Sequence, residues 1–513
     1  AARLGLGRAV VTVALERLQR DGRVVEGEFR PAGSPGGPGG DPEWCDVEVL
    51  RRIRRRSLAA LRKEVEPVEP AAYGRFLPAW QNAGAGLRGL DGIATVVDQL
   101  SGVPSPASAW EPLVLASRVG NYAPAMLDEL MATGEVLWSG AGALPGNDGW
   151  ICLHLAETAD LTLNPQPDFE PSVLQYELLN ALAGGAPGQL GGAYFFRQLA
   201  DALAAAGTSA ADADLVTALW ELVWAGRIGN DTFAPVRALL PGGTTAHRQR
   251  PATPRARTAG FRRAGRLGRL PGAGALAAGT AGGTPVRGAP ALAGGRWSLL
   301  PAVGPDATVR AHAAAGLLLD RYGVVTRGAG GAEGVPGGFA LMYKVLARLE
   351  EMGRCRRGYF IEHLGAAQFA VPATVDRLRS FARDTQLQPE PAAPAAVALA
   401  ATDPANPYGA ALPWPAVEGG HRPGRKAGAL VILVDGELAL YVERGGKTLL
   451  TFTEEPEALA QCARALVDVI RRGAADKLAV EKVNGEPVLD TELARALAGA
   501  GFYTTPRGLR FRS

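Results

Sequence analysis

The sequence predicts an α+β fold built from repeated helix–hairpin units with a small β-rich module at its end. Three observations carry that expectation. The chain has 513 residues, which at roughly 100–200 residues per domain predicts about three to five domains. Hydrophobic residues make up 47%, enough for several cores and too many for a uniformly disordered chain. One string also recurs. Leu15-x-x-Leu18-x-x-x-Gly22-Arg23-Val24 returns as Leu127-x-x-Leu130-x-x-x-Gly134-Glu135-Val136, as Leu219-x-x-Leu222-x-x-x-Gly226-Arg227-Ile228 and as Leu346-x-x-Leu349-x-x-x-Gly353-Arg354-Cys355. A degenerate fifth copy stands at Leu497-x-x-x-Gly501-Phe502.

The repeated unit has a physical reading. Two leucines three residues apart share one helix face. A glycine four residues after the second suits the left-handed position that ends a helix. Strand-like residues follow at once. A helix, a glycine stop and a short hairpin make the end of a winged helix, with the helix shaped to enter a DNA groove and the hairpin as the wing. The expected architecture is therefore tandem winged-helix domains followed by a small C-terminal β-barrel-like module.

Taken in order, residues 1–45 read as a truncated winged helix whose stretch 31–42 (PAGSPGGPGGDP) is a flexible loop. Residues 46–168 form a winged-helix-like domain that opens on a basic helix, with Asp46 as its N-cap. Arg51, Arg52, Arg54 and Arg55 lie on that helix beside the apolar Val49, Leu50 and Ile53. Residues 169–240 are a further winged helix. Residues 241–296 hold ten Arg and no Asp or Glu, and read as a disordered basic linker. Residues 297–380 give the clearest winged helix, with Lys344 and Arg348 on the repeat helix and Arg354, Arg356 and Arg357 where the wing begins. Residues 381–427 are a Pro/Ala-rich connector. Residues 428–513 are the β-barrel-like module, whose first turn is Asp435-Gly436.

Charge and motifs narrow the function. The formal net charge is +3, so any nucleic-acid footprint must be local. Cys45, Cys152, Cys355 and Cys462 are far apart and suit a reducing cytoplasm, with no zinc or disulfide spacing and no metal expected. No apolar run approaches a membrane span, so no membrane partner is expected. Gly446-Lys447-Thr448 resembles the end of a phosphate-binding loop, but Tyr441 stands where its first glycine belongs and strands flank it. No cofactor is expected in this chain.

Longer strings carry a resemblance. WCDVEVLRRIRRRSLAALRKEVEPVEP (44–70), GYFIEHLGAAQFAVP (358–372), DPANPYGAALPWP (403–415) and LVDGELALYVERGGKTLLTF (433–452) resemble the C-terminal region of the large helicase-related (Lhr) proteins. That resemblance covers nearly the whole chain apart from 31–42 and 241–296. It implies tandem winged helices and a β-barrel module similar to the AlkZ/YcaQ-type DNA glycosylases. It implies DNA and the family's N-terminal helicase core as partners, with ATP and Mg in that core. It also implies a role in DNA repair and homo-oligomerisation, with a tetramer as the expected assembly. Some members have uracil-DNA glycosylase activity in this region.

Three functions stay open at this point. The chain is a DNA-binding and oligomerising part of a repair helicase, a glycosylase removing uracil or an alkylated base, or a purely structural oligomerisation module. No catalytic residue can be assigned by identity. The wing offers only Gln368, and Asp403 suits the cap of a turn as well as it suits catalysis.

Overall fold

The computed structural model describes residues 5–27, 29, 43–53, 66–84, 86–184, 192–240, 289–304, 306–365, 367–382, 396–417, 421–474 and 477–512. The chain divides into two units, Ala1–Val68 and Glu69–Ser513. The stretches 31–42, 54–65, 241–288 and 383–395 lie outside the described residues.

The first unit holds α1 (Arg8–Arg20) and an antiparallel pair, β1 (Val24–Gly27) and β2 (Glu43–Asp46). A helix starts at 47, and Asp46 Oδ1 accepts from the N–H groups of Glu48 and Val49 at 2.8 and 3.2 Å. The short polar side chain thus satisfies donors that the first turn cannot.

The second unit contains three complete winged helices, each with a three-stranded sheet of one order. The first begins with α2 (Pro70–Trp80) and α3 (Gly89–Gln99). After β3 (Ser105–Pro106), a helical run over 107–118 (α4) is π-wound at Trp110–Leu115. Next come α5 (Pro124–Ala132), β4 (Val136–Leu144) and β5 (Asp148–Leu155). The sheet order is β3-β5-β4. A short α6 (Ala159–Thr162) leads onward.

The next winged helix runs through α7 (Val173–Ala183), β6 (Tyr194–Phe195), α8 (Phe196–Ala205), α9 (Asp212–Trp224), β7 (Ile228–Asn230) and α10 (Ala234–Leu239). Its sheet is completed by β8 (Arg296–Leu299), which pairs with both β6 and β7. Arg296, grouped with the basic connector on sequence grounds, therefore starts the third strand, and 241–288 falls between α10 and that strand. The last winged helix comprises α11 (Ala307–Tyr322), β9 (Val324–Val325), α12 (Arg327–Ala332), α13 (Gly338–Glu351), β10 (Arg356–Gly358) and β11 (Gln368–Ala370). Its sheet order is β10-β11-β9, the same arrangement again. Helix α14 (Pro372–Arg379) follows.

The repeated glycines do what their spacing requires. Gly22, Gly134, Gly226 and Gly353 have φ of 69, 82, 70 and 73°. In each copy the next residue's N–H donates back to the carbonyl of the second leucine, at 2.9, 3.0, 3.0 and 2.8 Å. Phe502 does the same to Leu497 at 3.0 Å, so the degenerate fifth copy closes its helix in the same way. In the three complete winged helices both leucines are buried. They supply part of the apolar contact that a helix this short needs.

The C-terminal module is not a closed barrel among the described residues. Its main sheet runs β12 (Ala396–Ala400), β13 (Leu430–Val434), β14 (Glu437–Val442), β15 (Thr448–Thr451), β17 (Lys482–Val483) and β18 (Glu486–Pro487), in that order, so β12 and β18 are its edges. Helix α15 (Pro456–Val469) covers one face, with Leu459, Cys462 and Leu466 in the core. Because a helix fills the space that an opposing wall of strands would occupy, the sheet has no need to close. A second sheet joins β16 (Lys477–Val480), β20 (Gly508–Arg512) and β19 (Tyr503–Thr505) beside α16 (Glu492–Gly499). The Asp435-Gly436 turn joins β13 to β14 with φ of 53 and 83°, the left-handed pair a tight hairpin needs.

Candidate nucleic-acid interface

In a winged helix the groove-reading element is the helix before the hairpin. In the second unit these are α5, α9 and α13. Their sequences already separate them, since PAMLDELMA and DADLVTALWELVW hold no Lys or Arg. Their surroundings separate them further. Asp128, on the outer side of α5, accepts from Thr232 Oγ1 at 2.7 Å and from the Phe233 N–H at 2.8 Å, and pairs with Arg237 Nη1 at 2.6 Å. Arg237 also holds Glu111 at 2.8 Å, and Glu111 accepts from the Tyr122 phenol. The next winged helix therefore packs on one side of α5 through Asp128, while Ala125, Glu129 and Ala132 stay exposed. Helix α9 packs on the hairpin of the preceding module so tightly that a Cβ at Gly140 would lie 2.3 Å from the Val223 carbonyl oxygen. The exposed stripe of α9 is Ala213, Asp214, Thr217 and Glu221, so neither helix offers a basic face.

Helix α13 differs. Met342, Leu346 and Leu349 face the core, while Lys344 and Arg348 stand exposed on the opposite side. Arg354, Arg356 and Arg357 continue the exposed basic surface along the turn and β10. Arg357 is anchored. Its guanidinium reaches the Tyr343 hydroxyl at 2.6 Å, and its N–H donates to Glu350 Oε1 at 2.9 Å. Arg348 pairs with Glu351 at 2.5 Å, both largely exposed. The fold thus brings five of the sequence-predicted residues onto one helix and wing. In the first unit Arg51 and Arg52 are exposed, with Arg51 beside Glu48 at 2.6 Å. Arg54 and Arg55 lie outside the described residues.

Neither residue weighed for catalysis is free for it. The Gln368 side chain is fully buried, and its amide holds the wing together. Its oxygen accepts from the Phe360 and Ile361 N–H groups, and its nitrogen donates to the Ile361 and Gly365 carbonyls. Asp403 is also fully buried. Both its oxygens take a guanidinium nitrogen of Arg118, at 2.7 and 3.0 Å, and one caps the Ala405 N–H. Arg425 braces the same loop by donating to the carbonyls of Thr402, Asp403, Asn406 and Tyr408.

Sequence reasoning missed a cleft of about 810 Å³ between the first and last winged helices of this unit. Its wall includes Ser101, Ser139, Arg310, Arg321, Glu333 and Leu341. Arg321 is buried and pairs with Glu333 at 2.5 Å while donating to the carbonyls of Gln99 and Ser101. Burial, and then the neighbouring Glu333 charge, push the Tyr322 phenol well above its ordinary pKa. On the opposite wall Ser139 Oγ lies 2.9 Å from His154 Nε2, and His154 Nδ1 lies 2.7 Å from Thr162 Oγ1. Burial lowers the His154 pKa to about 4.

Family comparison agrees with this architecture. Residues 68–156 and 304–390 each match a family model described as the winged-helix domain of the large helicase-related protein. A Mycolicibacterium smegmatis protein named "Lhr helicase/ probable uracil glycosylase" is 51% identical over 524 residues, covering 100% of this chain. The chain belongs to the Lhr family. An Escherichia coli Lhr protein named "Lhr helicase/uracil glycosylase" is 38% identical over 523 residues, covering 98% of the chain. The chain spans 32% of the length of each of these Lhr relatives. No helix among the described residues is long and apolar enough to cross a membrane.

Proposed function

We propose that the chain is the DNA-binding and oligomerising part of an Lhr-type ATP-dependent DNA repair helicase, with the last winged helix as its DNA grip. One observation carries the DNA-binding reading. Of α5, α9 and α13, only α13 presents basic residues, and it continues them into its wing. Lys344, Arg348, Arg354, Arg356 and Arg357 contact phosphates, and Arg51 and Arg52 are separate phosphate contacts of the first unit. The motor, with its ATP and Mg, belongs to other parts of the full-length protein. Self-assembly, with a tetramer as the expected form, is tested by light scattering, and a strict monomer removes it.

Each phosphate contact contributes about −0.9 to the slope of log K against log salt. Replacing Arg354, Arg356 and Arg357 by Ala should therefore flatten that slope by about 3 in a gel-shift titration. An unchanged slope overturns the wing as a contact surface.

A second reading has support from the cleft and from the names of the two relatives, namely that the chain removes uracil or an alkylated base. Incubation with a uracil-containing oligonucleotide followed by alkali tests it, and an intact strand after long incubation leaves binding alone.

A further inference from the structure

One exposed aromatic on the wing of the last winged helix has no part in the phosphate grip. Tyr359 is the first residue past β10, two positions after Arg357, and it is 42% exposed. A single apolar side chain on a surface is ordinary. Tyr359 differs in how firmly it is held. Its hydroxyl oxygen accepts from the His363 N–H at 2.7 Å. His363 itself turns the chain with φ of 64°. The next two residues, Phe360 and Ile361, donate their N–H groups to the buried Gln368 carboxamide, both at 2.9 Å. The Phe360 ring lies over Gly358, where a Cβ would come within 2.6 Å of it. The backbone on both sides of Tyr359 and the far end of its side chain are therefore fixed, while the residue stays open to solvent.

The same wing supplies charge. Arg354 and Arg356 are exposed, and among the described residues neither guanidinium has a hydrogen bond or an ion pair. Arg348 and Arg357, by contrast, already share their charge with Glu351 and Glu350. A fixed aromatic beside open cations suits a single strand, because bases stack on the ring and the cations track the backbone. Inside a duplex each base is covered by its neighbours, and only an unstacked base offers its face to a side chain. We infer that the wing is a stacking platform, on which Tyr359 takes an unpaired base where duplex DNA gives way to single strand. Arg354 and Arg356 take the phosphates beside that base, and α13 holds the duplex side of the junction. Every base has a π-face, so the platform selects DNA structure and not sequence. It rests on the proposed DNA grip and adds to it the form of DNA preferred.

The test is a gel-shift titration of the full chain on three DNAs that contain no uracil. They are a blunt duplex, the same duplex with unpaired arms, and the armed duplex with abasic sites throughout its arms. Abasic arms keep the phosphates and remove the base faces. The intact armed duplex should bind more tightly than the other two. Tyr359→Ala should weaken its binding by roughly five- to hundredfold, the range for one stacked base. The blunt duplex should bind nearly as before, and the salt slope should not change, because no phosphate contact is lost. Tyr359→Phe should keep the preference, because the ring remains. If Tyr359→Phe loses as much as Tyr359→Ala, the hydroxyl only braces the turn at His363 and the inference falls. It falls equally if abasic arms bind as tightly as intact ones, or if Tyr359→Ala binds the armed duplex like the unmodified chain. In each of these cases a slope flattened by the triple arginine replacement leaves the grip standing. A tyrosine effect with that slope unchanged overturns the arginine contacts and leaves base stacking alone. No shift of any DNA overturns both.

Discussion

At the scale of single residues, the fully buried pair Arg118–Asp403 has the most at stake. The two are 285 positions apart, and each side chain has 0% exposure. Removing one member leaves a buried charge without compensation, which costs about 3–5 kcal/mol. Asp403→Ala should lower stability by that amount in chemical denaturation, and any activity it loses follows from unfolding. His154 makes a second residue-scale prediction. Its pKa is held near 4 by burial, against about 6.5 when unfolded. Below about 6.5 the unfolded chain takes up the proton first, so this contribution is complete above that pH and lost as the pH falls toward 4. The loss approaches roughly 3 kcal/mol, and His154→Gln should remove that part of the pH dependence in urea melts at stepped pH. Local chemistry of this kind was partly legible. Asp46 caps its helix because its carboxylate needs only the next two or three residues. The pairs Arg118–Asp403 and Arg321–Glu333 were not legible, because they join different elements and neither charge announces its partner.

At the scale of elements, helices of one repeat have taken different jobs. All three recognition-position helices of the second unit keep the buried leucines and the glycine stop, which the sequence spacing revealed. Their outward faces decide their use. Asp128 on α5 meets Arg237 of the following module, α9 packs on the preceding hairpin and exposes only acidic and uncharged residues, and α13 stays open and basic. The charges of α13 were readable from the sequence. The contact at Asp128 on α5 was not, because it depends on how the next module turns back. Lys344→Ala should reduce the salt slope by about 0.9 and weaken binding to all DNA sequences alike. Arg348→Ala should have the smaller effect, because Glu351 already shares its charge. A loss confined to one DNA sequence would instead assign Lys344 to base reading.

At the scale of the whole molecule, the modules are not beads. The first two complete winged helices share one apolar core, from Ile93 and Trp110 through Trp138 to Leu219, Trp220 and Trp297. The C-terminal sheet and α15 have another core, around Leu440, Cys462 and Leu466. Trp138 stands at the junction, its ring 6.0 Å from that of Phe233 between centroids, and its indole N–H holds the Thr232 carbonyl at 3.2 Å. Truncating such a side chain costs about 3–5 kcal/mol. A shared core should spread that cost over both modules, because neither can open without exposing the other's apolar face. In Trp138→Ala, amide exchange should therefore rise together in α5 and α9, while β13 and β14 keep their protection. Faster exchange in α5 with α9 unchanged would mean that the two winged helices open independently, and that the contact between Arg237 and Asp128 is a hinge.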